Sequence, residues 1–260
     1  MGEIIAFSNQ KGGVGKTTTC VNMSACLASL GKKVLIVDMD PQGNATTGLG
    51  FNKGGMKTSV YNVLIDDANV SDVALKTNIE NLFILPASID LAGAEVELVY
   101  CLNREKRLLT ALEAVKDDFD YITIDCPPSL GLLTINALAS ADDILIPIQC
   151  EYYALEGLLQ LKNTINQVVR HLNKSLKIKG VIMTMYDGRA LVSRQIADEI
   201  REFFGDKVYK TVIPRNIRVS EAPSHGVPVT IHDPKCTGAK AYLQLTKEFL
   251  AKGDDRDERK

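Results

Sequence analysis

Short apolar runs rich in β-branched residues alternate with longer amphipathic stretches along almost the whole chain. Continuous apolar runs of this length are typical of strands that are buried on both faces of a parallel sheet. The predicted strands are Ile4–Ser8, Val34–Val37, Leu82–Leu85, Tyr121–Ile124, Ile144–Ile148, Gly180–Thr184 and Val208–Val212. Between most of them, apolar positions recur at the three- and four-residue spacing of a helix face. The predicted helices are Thr18–Leu30, Leu91–Val115, Leu132–Ala139, Leu155–Leu172, Leu191–Phe204 and Ala239–Leu250.

This alternation predicts a single-domain, doubly wound α/β fold with a mainly parallel sheet. In such folds, ligands bind at the carboxyl ends of the strands. No internal repeat and no Pro/Gly/Ser linker divides the chain, so we expect residues 1–252 to form one domain. The glycine-rich stretch Gly48–Gly55 is predicted to be a mobile surface loop. Residues 253–260, which carry mixed charges, are predicted to be a disordered tail.

The formal net charge of −2 hides an uneven distribution of charge along the chain. Residues 1–159 carry 11 Lys and Arg against 20 Asp and Glu, whereas residues 160–220 carry 12 against 5. Residues 221–260 carry 7 of each sign. A basic segment inside an acidic protein is a candidate surface for binding phosphate, although solvated helix faces would explain it equally well.

The sequence favours a cytoplasmic protein. No stretch approaches the roughly 20 apolar residues of a membrane span, and the run Ile4–Phe7 is too short for a signal peptide. The six cysteines contain no C-x-x-C pair, and the three histidines lack the spacing of zinc ligands. We therefore expect neither a metal cage nor a disulfide framework, and most cysteines should be small buried apolar residues.

The strongest chemical signal is the segment Gln10–Thr18, which reads QKGGVGKTT. It follows a predicted strand and opens a predicted helix, as a phosphate-binding P-loop must. Its glycines let backbone N–H groups turn inward around phosphate oxygens, and the helix N-terminus adds the positive end of its dipole. We expect Lys16 to reach the β- and γ-phosphates of ATP, the Thr17 hydroxyl to ligate Mg²⁺, and Thr18 to donate to the α-phosphate.

Aspartates follow two of the predicted strands at the edge where a ligand would bind. The strand Val34–Val37 leads into Asp38 and Asp40, and the strand Tyr121–Ile124 leads into Asp125. An aspartate at the end of a strand is usually a turn or cap residue. Together with the P-loop, however, the segment that begins at Asp125 resembles a Walker B strand, and this resemblance implies that Asp125 holds Mg²⁺ through water.

The P-loop departs from the strict pattern, because Gln10 replaces its first glycine and Lys11 precedes the glycine pair. This K-G-G-x-G-K-[ST] arrangement is the deviant Walker A pattern, and the sequence resembles the ParA/Soj family of the ParA/MinD superfamily of P-loop ATPases. The resemblance extends from Ile4 to about Leu250. It includes the stretches Asp38–Asn44, Asp125–Gly131, Met185–Arg189, Ile213–Arg218 and Ser220–Gly226.

The resemblance implies a role for each site residue. Lys11 would reach the phosphates of a partner subunit in an ATP-dependent homodimer, Asp40 would orient the attacking water, and Asp38 would support the metal site. Pro214 and Asn216 match positions that contact the adenine. The implied nucleotide-binding residues are Lys11, Gly12, Gly13, Val14, Gly15, Lys16, Thr17, Thr18, Pro214 and Asn216, the implied metal residues are Thr17, Asp38 and Asp125, and the implied catalytic residues are Lys11, Lys16 and Asp40.

The resemblance also implies a function. The protein would be a slow, partner-stimulated ATPase that acts as a switch in chromosome or plasmid partitioning. A ParB-like protein would be its partner, and it would associate with the nucleoid by binding double-stranded DNA without sequence preference. The arginines that match the DNA contacts, Arg189 and Arg218, both lie in the basic segment. Contact with a replication initiator and control of sporulation are further implications.

Four alternatives remain open at this point. A MinD-like membrane-positioning ATPase would need a terminal amphipathic helix, but residues 253–260 are acidic enough to be repelled by anionic lipid. An iron–sulfur protein on the same scaffold would need converging cysteines, and only Cys126, next to Asp125, suggests one. A tyrosine kinase would require a C-terminal tyrosine cluster. A nucleotide-gated interaction module with negligible hydrolysis would share every motif described above.

Overall fold

The centre of the molecule is a seven-stranded sheet with the strand order β3-β4-β2-β5-β1-β6-β7. The computed structural model describes the backbone of residues 2–151 and 154–257 and the side chains of residues 2–151 and 160–252. All neighbouring strands are parallel except for the antiparallel pair of β3 and β4. The strands are β1 Glu3–Phe7, β2 Val34–Asp38, β3 Leu75–Lys76, β4 Leu82–Leu85, β5 Tyr121–Asp125, β6 Asp143–Gln149 and β7 Lys177–Thr184.

Helices cover both faces of this sheet. In the described part of the chain, the first six are α1 Lys16–Ser29, α2 Asn44–Gly48, α3 Val60–Ile65, α4 Val70–Val73, α5 Leu91–Glu97 and α6 Arg107–Glu113. They are followed by α7 Leu132–Ser140, α8 Ala154–His171, α9 Leu191–Phe204, α10 Ile217–Glu221, α11 Val229–His232 and α12 Thr237–Asp257. None of the helices in this part of the chain combines the length and the hydropathy that a membrane span requires.

Successive residues of each central strand enter two different hydrophobic cores. In β1, Ile4 and Ala6 belong to the core on the side of α3 to α9, whereas Ile5 and Phe7 belong to the core on the side of α1 and α12. Because strand side chains alternate between faces, a sheet that is covered on both sides needs an apolar residue at every position. The doubly wound α/β architecture predicted from the continuous apolar runs is confirmed.

The prediction of a seventh strand at Val208–Val212 is wrong. The segment runs beside β7, and the N–H groups of Tyr209 and Ile213 donate to it, but regular pairing is limited to an isolated bridge between Val181 and Val208. The reason is a carboxylate from α12: Glu248 accepts the backbone N–H groups of Lys210 at 2.8 Å and Thr211 at 2.9 Å. These donors are therefore not available to a regular strand ladder. The short strand β3 was not predicted, because two residues are too few to show an alternation of apolar and polar side chains.

The prediction of one helix over Leu91–Val115 is also wrong, because the structure divides this range into α5 and α6. A 3-10 turn over Leu98–Tyr100 continues α5 and is followed by an irregular connection. In this connection Asn103 adopts a left-handed backbone with φ 52°. The helical segment has already ended at Cys101, whose backbone is extended with φ −83° and ψ 144°, and asparagine tolerates the left-handed conformation better than most residues.

Two stretches expected to lack regular structure are partly helical. Gly48–Gly55 contains the end of α2 and a 3-10 turn over Lys53–Gly55. Gly50 also lies so close to Gly226 that a Cβ atom on Gly226 would be 2.6 Å from the Gly50 Cα. In addition, α12 continues to Asp257, since a helix that is already formed propagates at low cost through residues without proline. The last three residues of the predicted tail, 258–260, lie outside the described residues.

Candidate nucleotide site

The P-loop connects the end of β1 to the start of α1 through a turn that only glycine makes without strain. Gly13 and Gly15 have left-handed backbones with φ 73° and 84°. Gly15 is the residue immediately before α1, so its conformation directs the first N–H groups of the helix toward the loop. Because a residue with a Cβ atom pays a steric cost there, the glycines of the motif are explained by backbone geometry.

Neighbouring strand ends hold the P-loop in place. The Asn9 side-chain amide donates to the Pro147 carbonyl at 2.7 Å, and the Asn9 Oδ1 atom accepts the Lys11 N–H at 3.0 Å. At the other side of the loop, the Thr184 hydroxyl donates to the Val14 carbonyl at 2.7 Å. Val14 itself is buried. The loop is therefore tied to β6 and β7 and is preformed for a ligand.

A cavity of about 560 Å³ opens above the P-loop at the carboxyl edge of the sheet. Its walls are formed by two distant parts of the chain, the P-loop and the segment that follows Ile213. The predicted residues that line it are Gly12, Gly13, Gly15, Lys16, Thr17, Thr18, Asp40, Pro214 and Asn216. The structure thus brings the phosphate-binding and adenine-contacting candidates into one site.

Lys16 supplies positive charge at the P-loop end of this cavity. Its ammonium donates to the Lys11 carbonyl at 3.1 Å, so it lies within the P-loop. Burial lowers the pKa of Lys16, and the nearby groups of Asp125, Cys126 and Asp40 oppose that shift. A partly desolvated ammonium interacts strongly with an incoming anion, since little water has to be displaced.

Asp38 and Asp125 lie next to each other below the cavity. They are opposite one another in the register of β2 and β5, and both are fully buried. Burial raises the pKa of Asp125 well above its usual range, and the Asp38 carboxylate adds to the shift. The nearby Thr17 hydroxyl lowers the pKa of Asp125, but it does not form a hydrogen bond with either carboxylate oxygen. A positive charge at this position would relieve the repulsion between the two groups.

Asp38 is already satisfied by the protein. Its Oδ2 atom accepts the Thr46 N–H at 2.8 Å and the Thr46 hydroxyl at 2.7 Å, and its Oδ1 atom accepts the Asp40 N–H at 3.3 Å. Burial nevertheless raises the pKa of Asp38 to about 6. These contacts fix the loop that follows β2, so Asp38 supports the site by holding Asp40 in position.

Asp40 is the aspartate that reaches the cavity itself. Its Oδ1 atom accepts the Gln42 N–H at 2.9 Å, which sets the orientation of the carboxylate. Among the described residues, no hydrogen bond to its Oδ2 atom is formed, so that oxygen can accept from a water molecule in the cavity. The geometry is therefore compatible with the water-orienting role that the sequence predicts for Asp40.

The donor set at Asp125 and Thr17 fits a hydrated magnesium ion. Both Asp125 carboxylate oxygens are buried without a hydrogen-bond donor, and Thr17 lies beside them on the cavity wall. Mg²⁺ binds in proteins through few side-chain oxygens and keeps several waters, which differs from an all-protein cage. Consistent with this, the described residues contain no group of three His, Cys, Asp or Glu side chains placed to hold a metal.

Lys11 points away from the cavity that its neighbours line. Its ammonium lies 3.4 Å from the Glu151 carboxylate, and the Gln149 amide donates to the same carboxylate. Both partners of this ion pair are partly exposed, so the pair contributes little stability and can exchange. Sequence reasoning did not identify Glu151, because only the fold brings residues 11 and 151 together.

The wall opposite the phosphate end is formed by residues around Pro214 and Asn216. Asn216 caps α10 by accepting the Arg218 N–H at 2.8 Å, and its amide donates to Thr237 at 2.8 Å. Sequence analysis gave most of this wall no role in the site, although several of its residues lie in the stretches that carry the family resemblance, because only the fold brings these stretches to the cavity. The missed lining residues include Met185, Ile213, Arg215, Val219, Pro223, Val227 and Pro228.

The two predicted DNA-contacting arginines lie outside the cavity. Arg189 is 94% exposed and pairs with Asp187 at 3.2 Å. Arg218 is 52% exposed and pairs with Glu221 at 2.9 Å. The loop that carries Arg189 lies beside the segment that leads into α10, which carries Arg218, since Tyr186 and Pro214 form a parallel bridge. Ion pairs between exposed groups are weak, so both guanidinium groups remain available to other anions.

The cysteines behave largely as predicted. Cys20, Cys26, Cys126 and Cys150 are buried, and all six cysteines have free thiols. Burial raises the pKa of the Cys126 thiol far above its usual range, and the neighbouring carboxylate of Asp125 raises it further. A thiol of this kind stays neutral in the ligand-free protein, so Cys126 lacks the thiolate character of an activated nucleophile.

The chain is similar over most of its length to known proteins. Residues 2–178 match the family described as an AAA domain. The chain is 60% identical to the sporulation initiation inhibitor protein Soj of Bacillus subtilis over 253 residues, covering 97% of this chain and 100% of Soj. It is 51% identical to the chromosome partitioning protein ParA of Caulobacter vibrioides, covering 97% and 96% of the two chains. A structure of cobyrinic acid a,c-diamide synthase from Mycobacterium smegmatis with a bound ATP analog and magnesium is 38% identical, with a TM-score of 0.85 and coverage of 96% and 95%.

The Thr46 hydroxyl gives a direct test of how the site is held together. It donates to Asp38 and accepts the Ala87 N–H at 2.9 Å. Thr46→Val removes both bonds at nearly constant volume, and we expect it to lower the free energy of unfolding in urea by about 2–4 kcal/mol. Thr46→Ser keeps the hydroxyl and should cost less than about 1 kcal/mol. Equal losses in the two variants would contradict this role.

Proposed function

The chain belongs to the Soj/ParA family of chromosome-partitioning proteins, and we propose that it is a Mg-ATP-dependent, dimerising ATPase switch that binds DNA non-specifically and acts in chromosome or plasmid partitioning with a ParB-like partner. The observation that supports this proposal most strongly is the cavity that joins Lys16, Thr17 and Asp40 above the buried carboxylate of Asp125. This set would supply an anion site, a cation site and a water-orienting group within one pocket.

The P-loop would bind the triphosphate of ATP. The N–H groups at the start of α1 and around Gly13 and Gly15 would donate to phosphate oxygens, and Lys16 would leave the Lys11 carbonyl to contact the β- and γ-phosphates. The adenine would lie against Pro214 and Asn216 at the other end of the cavity. Both ends are fixed before the ligand arrives, so little ordering is required on binding.

Thr17 and Asp125 would hold Mg²⁺, Thr17 directly and Asp125 through water. When bound, the ion supplies the positive charge that neutralises the β- and γ-phosphate oxygens during transfer. Asp125 is suited to this role because its oxygens are buried without a donor and its burial costs free energy unless a cation is near. Asp40 would accept a hydrogen bond from the attacking water through its Oδ2 atom and set the line of attack.

Completion of the site would require a second subunit. Lys11 lies outside the cavity in its own chain, paired with Glu151 on the surface. Because this pair is exposed, a negatively charged γ-phosphate of a partner subunit would compete for the ammonium. Lys11 would then act in trans, as an arginine finger does, and hydrolysis would be slow until the dimer forms.

DNA binding would use the loop that carries Arg189 and the adjoining helix α10, which carries Arg218. Arg215 lies between them in the fold: its N–H donates to the Tyr186 carbonyl at 3.3 Å, and its charge acts on Asp187. All three arginines belong to the basic segment, which carries 12 Lys and Arg against 5 Asp and Glu in residues 160–220. Contacts to phosphates carry no sequence information, and dimerisation would double their number.

Two related activities need to be distinguished from this one. The solved structure that is 38% identical bears the name of a diamide synthase, but the relative named Soj is 60% identical over its full length, so partitioning is the better supported function. The MinD-like alternative remains a hypothesis, which co-sedimentation with liposomes tests. A contact with a replication initiator and a role in sporulation are parts of the proposal that rest on the family relationship alone.

Asp40→Ala is expected to separate binding from hydrolysis. The variant keeps the P-loop, so we expect normal ATP affinity, a dimer that accumulates with ATP on sizing, and a turnover at least about 100-fold below that of the unchanged protein. Asp206→Ala, which removes an exposed carboxylate elsewhere, serves as the control and should hydrolyse ATP normally. Normal turnover by the Asp40 variant would show that another group positions the water.

Arg189→Ala and Arg218→Ala are expected to weaken DNA retention without changing ATP affinity. Each removes one phosphate contact per subunit, so the slope of log affinity against log salt should fall by about 1–2 for the dimer. Arg201→Ala makes the same change of charge on α9, where the arginine pairs with Asp198, and serves as the matched control. If all three variants lose retention equally in a filter assay, net charge rather than this surface explains the binding.

A further inference from the structure

Two histidine rings stack on each other beside the candidate DNA surface. The ring centroids of His225 and His232 are 4.5 Å apart, and the two rings are inclined by 27°. His225 ends the 3-10 turn Ala222–His225 that follows α10, and His232 is the last residue of α11. The Nε2 atom of His232 lies 3.9 Å from the Oε2 atom of Glu221. Neither imidazole lines the nucleotide cavity, so the proposed chemistry gives them no role.

The carboxylate that faces His232 also holds Arg218. The Nη1 atom of Arg218 lies 2.9 Å from the Oε2 atom of Glu221, and its Nε atom lies 3.7 Å from the Asp233 carboxylate. Arg218 therefore contacts two carboxylates, and each contact alone is weak because the groups are partly exposed. One oxygen, Oε2 of Glu221, faces both the guanidinium and the imidazole. The charge of the imidazole therefore acts on the pair that restrains the arginine.

The neighbouring helices bring little further charge to this group of side chains. α1 packs against α11, and α2 packs against the 3-10 turn. In the sequence, α2 carries no charged residue, and the charged residue of α1 is Lys16, which lies in the P-loop. α12 packs against α10 and α11, and the charged residue of its first turn, Lys240, is exposed. Lys235, whose N–H donates to Asp233, is also exposed.

We propose that this group of side chains, the His232 cluster (His225, His232, Glu221, Arg218 and Asp233), makes DNA binding stronger at lower pH. The inference rests on the proposed DNA contact of Arg218. When His232 is neutral, the two carboxylates hold the guanidinium. A proton on His232 places a second cation beside the Glu221 oxygen, which weakens its hold on Arg218 and adds positive charge to the surface. Both changes favour contact with a DNA phosphate.

The stacking of the rings limits the proton uptake of the cluster. Two charged imidazoles in contact repel each other, so each cluster takes up about one proton. His232 is the favoured position, because its ring faces the Glu221 carboxylate. By reciprocity, DNA binding draws a proton onto the cluster. The added affinity is therefore present at low pH and is lost as the pH rises through the range of about 5 to 8 in which imidazoles titrate.

The test measures retention of double-stranded DNA by the full-length protein with saturating Mg-ATP and constant low salt. The unchanged protein should bind about tenfold more tightly at pH ~6 than at pH ~8, from about threefold in each subunit of the dimer. His232→Gln should reduce this difference to less than about twofold. Two control variants should keep it: His225→Gln, which retains His232, and His171→Gln, at an exposed ring at the end of α8. Asp38, with a pKa of about 6, titrates in all of these proteins, so its effect cancels in the comparison.

Glu221→Gln gives an independent check. It releases Arg218 from one carboxylate without a proton, so the affinity at pH ~8 should rise by at least about threefold and the pH difference should fall below about twofold. Asp198→Asn is the matched control, because it makes the same change of charge beside Arg201 on α9. This control should alter neither the affinity at pH ~8 nor the pH difference by more than about twofold.

Three results would overturn the proposal. The first is a pH difference in His232→Gln equal to that of the unchanged protein. The second is an equal gain in Glu221→Gln and Asp198→Asn, since net charge would then explain it. The third is DNA retention by the unchanged protein that does not vary with pH, which contradicts this inference alone, whereas no retention at either pH also contradicts the proposed function. His232 is half-buried, so circular dichroism checks that variant, and Glu221→Gln decides the matter if it does not fold.

Discussion

The burial of two neighbouring carboxyl groups is the constraint on which the candidate site depends. Asp38 and Asp125 end neighbouring parallel strands at the same level, where water cannot screen them. The protein satisfies Asp38 with the backbone and hydroxyl of Thr46, but it provides Asp125 with no full hydrogen bond. A buried charge without a partner is costly, so the ammonium of Lys16 and a bound cation become parts of a stable site. The fold therefore places Asp125 where a positively charged ligand would compensate for its burial.

The structure separates a fixed part of the site from a part that another subunit would complete. The P-loop is tied to β6 and β7 through Asn9 and Thr184, and Asp40 is held by the loop that Asp38 anchors. By contrast, Lys11 lies on the surface in an exposed ion pair. In the proposed switch, ATP would bind to the preformed P-loop at once, whereas hydrolysis would wait for a second subunit.

The sequence predicts those features of the fold and site that depend on local residues. Six strands are confirmed, because a sheet covered on both faces demands unbroken apolar runs, and the P-loop is recognisable from its glycines and its place between strand and helix. What could not be predicted depends on distant contacts. The carboxylate of Glu248 prevents a strand at Val208–Val212, and Thr46 and Glu151 meet their partners only in the folded chain. No spacing rule connects such residues.

The most direct test of this account is the affinity for ATP in the presence of Mg²⁺, measured by equilibrium titration for the unchanged protein and for Lys16→Ala. Loss of the desolvated ammonium should weaken binding by about a hundredfold, which corresponds to about 2.7 kcal/mol. Lys57→Ala removes an exposed lysine outside the cavity and should leave the affinity unchanged. A protein that does not bind ATP, or a Lys16 variant that binds it as well as the unchanged protein, would contradict the account.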